Sequence, residues 1–291
     1  MTAADAPLRA RAETLGHALP PLLAQAQHLA ATVILGDHGR RQSGTGDAFW
    51  QFRQATPGDT LRRIDWRRSA RGDVPYVRET EWQAAQSVTL WVDPSRSMSF
   101  SGAPSRPPKA DRARLLALAL AVLLLRGGER VGLSGDAVPP RSGRAQLDRI
   151  AGALADDSAA DYGAPVPEGL VNHGRAVFVS DFLGDLAPVE TALAQAAARG
   201  VAGALVQVLD PAEEEFPFDG RTIFESMGGS LRHETLRAGD LRARYLDRLA
   251  ERKDRVATLA RAAGWHLHAH HTGQPAASAL LWLYRALERR R

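Results

Sequence analysis

Asp93-Pro94-Ser95-Arg96-Ser97-Met98-Ser99 directly follows the apolar run Val88-Thr89-Leu90-Trp91-Val92. A carboxylate with hydroxyls two and four residues on places three hard oxygen donors on one tight turn. Such a set suits Mg²⁺ or Mn²⁺, which prefer octahedral oxygen coordination at about 2.1 Å. Neutral hydroxyls leave most of the ion's charge uncompensated, so the ion would keep an open position for a carboxylate from a partner. The same residues could also close an Asx or Ser turn without any ion. A second aspartate, Asp181, ends another apolar run, Ala176-Val177-Phe178-Val179-Ser180. The residues at these two strand ends are the first candidates for function.

Other chemistries find less support. No Gly-x-x-x-x-Gly-Lys-Ser/Thr loop and no Gly-x-Ser-x-Gly elbow occurs, which argues against an ATPase or a serine hydrolase. An aspartate-based, Mg-dependent phosphoester hydrolase centred on Asp93 is the nearest enzymatic alternative. Such sites want a second carboxylate at the position taken by Ser95, whose hydroxyl is a poor general acid near neutrality. The expectation is therefore no enzyme. Arg62, Arg63, Arg67, Arg68 and Arg71, with Trp66 among them, form the densest basic cluster. Nucleic acid could use these arginines on phosphates and the tryptophan for stacking. Alternatively Asp59 and Asp65 pair with neighbouring arginines, Trp66 is core, and Arg62, Arg63 and Arg67 face a partner protein. His266, His268 and His270 alternate along one run, but same-face neighbours on a strand are nearly 7 Å apart, awkward for one shared zinc.

Placing these residues requires an alternation of strands and helices. Strands are expected over 88–92, 130–134, 176–180, 201–209 and 265–270, with helices over 109–126, 144–154, 186–198, 240–263 and 276–288. That rhythm predicts an α/β fold, a mostly parallel sheet with helices on both faces, where ligands gather beyond the carboxyl ends of the strands. The stretch 8–33 has helical spacing, interrupted at Pro20-Pro21, and 49–81 reads as a small irregular or β-rich subdomain. The expected division is a helical segment over 1–35, an Arg/Trp-rich subdomain over 36–86, and an α/β domain over 87–291 with a hairpin-like insertion near 212–239.

Composition bounds the rest. The chain has 291 residues, 44% apolar and 24% charged, enough to build a packed core. Lys plus Arg number 37 against 33 Asp plus Glu, a net charge of +4 that points only weakly to nucleic acid. Lys109 and Lys253 are the only lysines. The absence of cysteine excludes thiol chemistry, disulfides and Cys-based zinc sites. Met1 to Arg11 lacks an apolar h-region, and Leu115–Leu125 covers about half a bilayer, so a soluble, cytoplasmic protein is expected.

Asp-x-Ser-x-Ser after an apolar strand resembles the metal-ion-dependent adhesion site of von Willebrand factor A domains. Upstream come Gly44-Thr45-Gly46-Asp47-Ala48-Phe49, Arg53, Pro57-Gly58-Asp59, Arg62-Arg63-Ile64-Asp65-Trp66, Ser69-Ala70-Arg71 and Val77-Arg78-Glu79. This ordered series resembles the domain-of-unknown-function 58 family, von Willebrand A-like proteins associated with MoxR-type AAA+ ATPases. The resemblance implies a Rossmann-like core and an adaptor or chaperone-like role with a MoxR-type AAA+ ATPase and a client protein. It also implies a Mg²⁺ or Mn²⁺ site at Asp93, Ser95, Ser97 and Asp181. Von Willebrand A domains usually add a threonine from a middle motif. No threonine lies between Thr89 and Asp181, and the next one, Thr191, falls in the helix expected after Asp181. Ser142 is the best substitute by position and Ser134 the next.

Overall fold

The structure is a computed structural model that describes residues 22–33, 49–56, 64–70, 72, 74–80, 85–229 and 232–287. Two compact units are defined, His38–Ala85 and the remainder, Met1–Asp37 with Gln86–Arg291. In the larger unit the first described helix is α1 (22–33), whose Ala26, Ala30 and Val33 repeat at helical spacing and are buried. The smaller unit pairs β1 (Phe49–Gln54) antiparallel with β2 (Tyr76–Thr80), joined through the short helix α2 (Trp66–Ser69). Asp65 caps α2 by accepting a hydrogen bond from the Arg68 amide at 2.9 Å. Trp66 is 61% exposed, contrary to the expectation of a core tryptophan. It begins a single-turn helix, too short to turn a wide apolar face inward.

The larger unit continues through β3 (Ser87–Val92), α3 (Lys109–Arg126), β4 (Arg130–Leu133), α4 (Arg144–Ala153), β5 (Arg175–Ser180) and α5 (Ala187–Ala198). It closes with β6 (Ala202–Leu209), α6 (Pro211–Glu215), β7 (Thr222–Glu225), β8 (Arg232–Thr235), α7 (Arg242–Ala262), β9 (His266–His271) and α8 (Ala276–Leu287). Five strands lie in the order β4-β3-β5-β6-β9, every neighbouring pair parallel. From β3 the chain steps to β4 on one side and afterwards to β5, β6 and β9 on the other. The order reverses between β3 and β5, so the crevice of a doubly wound sheet opens beyond Val92 and Ser180.

Side chains divide between the two faces with period two. Val88, Leu90, Val177, Val179, Val206 and Val208 join a core with α1, α3, α4 and α8. Trp91, Phe178, Leu205 and Trp265 join a second core under α5 and α7. Every residue from Leu116 to Leu124 in α3 is buried, which explains the short all-apolar run: it is a core helix. Each fully buried leucine there contributes about 1.5–3 kcal/mol. No helix among the described residues is long and apolar enough to cross a membrane. The insertion after β6 consists of α6 and the β7–β8 hairpin, anchored by Phe216 against Phe224 and Tyr245 at centroid distances of 5.7 and 4.9 Å.

Candidate functional site at the strand ends

Asp93 continues β3 by one residue: its amide donates to the Val179 carbonyl at 2.9 Å, so its side chain emerges beside β5. The Ser95 amide donates to Asp93 Oδ1 at 2.9 Å, an Asx turn that reverses the chain into a single 3₁₀ turn, Arg96–Ser99. Met98 is fully buried and pins that turn into the core. The Ser95 and Ser97 hydroxyls are left 3.2 Å apart. On the neighbouring strand the Ser180 hydroxyl donates to Asp93 Oδ2 at 2.6 Å, and Gln207 donates to the Asp181 carbonyl at 2.9 Å. Asp93, Ser95, Ser97 and Asp181 are thus brought to the switch point, all buried.

Ser142 is not. The antiparallel bridge Val131↔Arg141 sets residue 142 toward Arg130, and Arg130 pairs with Ser87 at the start of β3. Ser142 therefore lies at the opposite end of the sheet, and its position in the order of motifs was misleading. Ser134 does follow β4 at the correct end, but its hydroxyl is spent on the Val166 carbonyl. Arg62 and Arg63 fall outside the described residues, while Arg67 is exposed on α2. His268 and His270 do share a face of β9, their rings 6.4 Å apart, and His268 stacks on Trp282 at 4.7 Å. Among the described residues no group of three or more His, Asp and Glu side chains is arranged to hold a metal.

Four residues that sequence reasoning missed complete the site: Lys109, Glu213, Asp210 and Arg106. Lys109, the first residue of α3, is 1% exposed, and its ammonium lies 2.8 Å from Asp181 Oδ2 and 2.6 Å from Glu213 Oε1. Burial pulls its pKa down, but the two carboxylates outweigh burial and hold it above the ordinary lysine value. Asp210, ending β6, caps α6 in a capping box: its Oδ1 accepts from Ala212, and its amide donates to Glu213 Oε2 at 2.8 Å. Burial pushes the Asp210 carboxyl up, but Arg106, the Ala212 and Gly102 amides and Thr272 together hold it below the usual carboxylate range. Arg106 reaches it bidentately at 2.9 and 3.1 Å. The one usable signal was compositional, a lysine at the head of α3 in a chain whose other basic residues, Lys253 apart, are arginines.

A cover lies over Asp93. The Arg96 and Ser97 amides donate to the Ala160 and Asp161 carbonyls, both at 2.9 Å, and the Ser158 amide donates to Pro94 at 2.8 Å. Gly163 packs so closely that an added Cβ would stand 2.1 Å from Asp93 Oδ1. The Asp161 carboxylate accepts from the Ser226 hydroxyl at 3.0 Å, tying this cover to the β7–β8 hairpin. A crevice of about 30 Å³ reaches Asp93 beside Arg114 and Asp156, room for roughly one water. Small-molecule sites run to hundreds of Å³.

The divalent ion suggested by the Asp-x-Ser-x-Ser motif can now be tested against its surroundings. The hydroxyl pair is spaced as two ligands of one ion could be. The carboxylates are not disposed for it. Asp181 is engaged on Oδ2 by Lys109 and on Oδ1 by the Leu183 amide, and Asp93 is engaged on both oxygens under Gly163. Each carboxylate is thus compensated within the chain, Asp181 by an ammonium that stands where an ion would need it.

Fold and site together define a mixed α/β protein with a parallel central sheet and an internally paired acidic cluster at its strand ends. The chain belongs to the family described as protein of unknown function DUF58, whose model matches residues 51–255. The uncharacterized proteins Mb1516 of Mycobacterium bovis and Rv1480 of Mycobacterium tuberculosis are each 32% identical to it over 210 residues, 66% of this chain. The match spans 64% of the length of each relative. Two solved structures overlap with TM-score 0.38 at 13% identity, covering 70% of this chain and 98% of theirs. They are the conserved hypothetical protein BatB from Bacteroides thetaiotaomicron and an aerotolerance-related membrane protein from Bacteroides fragilis.

Proposed function

We propose that this chain is a non-enzymatic, von Willebrand A-like adaptor or chaperone-like protein that presents its strand-end face to partner proteins. The resemblance supplies the partners, a MoxR-type AAA+ ATPase and a client. The observation that carries the reading is the closed state of the strand-end carboxylates. Asp93, Asp181 and Asp210 each have their oxygens taken up by groups of the same chain. A nucleophile or general base needs a carboxylate oxygen turned toward a substrate. Asp93 instead lies 2% exposed beneath Gly163, which supports the adaptor over a hydrolase centred on Asp93. Arg96 and Ser99, on the 3₁₀ turn, are exposed at the rim.

Mixing the chain with the MoxR-type ATPase of the same genome, with and without nucleotide, tests the reading by sedimentation. Arg96→Glu and Ser99→Arg should each weaken the complex at least tenfold while leaving the unfolding midpoint in place. Full-strength binding by both variants would remove the strand-end face. No complex in any nucleotide state would remove the ATPase as partner.

A second reading has one observation in its favour. Trp66 is exposed beside Arg67 and Arg68, the arrangement that stacks on a base or an aromatic partner while arginines take its anionic groups. Nucleic-acid binding through the Arg62–Arg71 cluster would show affinity falling steeply with salt. No mobility shift even at low salt would end that reading and leave the cluster as a protein-binding surface.

A further inference from the structure

The head of α3 is an unfavourable place for a lysine. A cation in the first turn of an 18-residue helix opposes the helix dipole. Burying it to 1% exposure adds desolvation. Local propensity therefore does not explain Lys109, and its surroundings do. Of its three N–H donors, two engage Asp181 and Glu213, and the ammonium lies 5.7 Å from the Phe100 ring centroid. Both carboxylates are also held by backbone amides, Asp181 by Leu183 and Glu213 by Asp210. Two anions, one just past β5 and one on α6, thus converge on a single compact ammonium.

We propose that the Lys109 ammonium is the built-in cation of the strand-end site, joining α3, β5 and α6 and making the site independent of divalent metal. Asp181, which the resemblance implies as an ion's ligand, serves as a ligand to this ammonium. Metal-ion dependence is therefore absent from this chain even though its Asp93-x-Ser95-x-Ser97 motif retains hard oxygen donors. The inference concerns the cation of the site and holds whether or not the face binds the ATPase.

The test uses the full chain. Mn²⁺ is titrated and followed by paramagnetic resonance, and thermal unfolding is recorded in chelator and in about 1 mM Mg²⁺, where an ion held a hundredfold more tightly would visibly raise the midpoint. The wild-type chain should take up no stoichiometric Mn²⁺ and unfold at the same midpoint in both solutions. One equivalent of Mn²⁺ that is lost in Asp93→Ala or Asp181→Asn would overturn the proposal. Lys109→Met should lower the midpoint in chelator, and Lys109→Met/Glu213→Gln should recover part of that loss by removing one unpaired anion. A Lys109→Met chain as stable as wild type would also overturn it. Should Lys109→Met fail to fold, the wild-type Mn²⁺ titration still decides.

Discussion

Gly163→Ala offers the sharpest test of the closed strand-end site. The added Cβ would lie 2.1 Å from Asp93 Oδ1, whereas ordinary contact begins near 3.4 Å, so one side must yield by about 1.3 Å. If Asp93 yields, the hydrogen bonds from the Ser95 amide and the Ser180 hydroxyl stretch out of range. Each is made to a charged acceptor and is worth about 1.5–3 kcal/mol, for a total near 3–6 kcal/mol. If the cover yields, the chain loses up to three neutral backbone bonds, those donated by Ser158, Arg96 and Ser97, at about 1 kcal/mol each. Lifting the cover is the cheaper route. The variant should lose about 2–3 kcal/mol, with Asp93 still in place and the Arg96 and Ser97 amides exchanging faster. Urea unfolding gives the first quantity and hydrogen exchange the second. Gly152→Ala is the control, since an added Cβ there meets nothing within 4 Å on an α-helix, and it should stabilise by about 0.5–1 kcal/mol. Wild-type stability in Gly163→Ala together with unchanged exchange at Arg96 and Ser97 would refute a cover seated on Asp93.

Lys109→Met should destabilise by about 3–5 kcal/mol, because it leaves Asp181 and Glu213 buried without their cation; chemical unfolding near pH 7 measures it. Lys109 is held above the ordinary lysine value, so its contribution is complete below pH 10.5 and disappears as pH rises past its folded-state value. His270 is fully buried, accepts from Arg112 at 3.3 Å, and is pushed down to about 4 by burial, then by Arg112, His268 and His271. Its neutral form is favoured on folding, so stability present above pH 6.5 should fall by about 3 kcal/mol as pH drops through 4. In His270→Phe that acid limb should flatten, as unfolding curves across this range would show. Trp66→Ala should change stability by less than about 0.5 kcal/mol, since the side chain is exposed, yet weaken any ligand of the Arg cluster. Unaltered binding in a salt-controlled titration would free Trp66 of that role.

Much of the architecture was legible before any coordinates. Strands that are continuous apolar runs and helices with stops at Gly127, Gly200 and Gly264 announce a parallel sheet, because burial on both faces leaves no polar alternation. The five strands of the parallel sheet and the helices α3, α4, α5, α7 and α8 fall within two residues of the expected ones, whereas α6 was not expected and residues 8–21 of the first expected helix lie outside the described residues. Asp93 and Asp181 were likewise legible, as residues ending such runs. Trp66 was not, since an aromatic among arginines reads equally as core or surface until the neighbouring backbone is placed.

What the order of residues determined by itself, then, is the α/β alternation, the family, and the delivery of Asp93, Ser95, Ser97 and Asp181 to one edge of a sheet. These follow from local periodicity and from strand ends, which depend only on near neighbours in the chain. Tertiary structure alone decided what those groups meet. Lys109 reaches Asp181 across 72 residues and Glu213 across 104, and Arg106 reaches Asp210 across 104. Ser142 was removed from the site by the strand register that carries it to the far end of the sheet. Charge compensation acts through space, so a carboxylate that looked in sequence like an ion's ligand has an ammonium of its own chain as its cation.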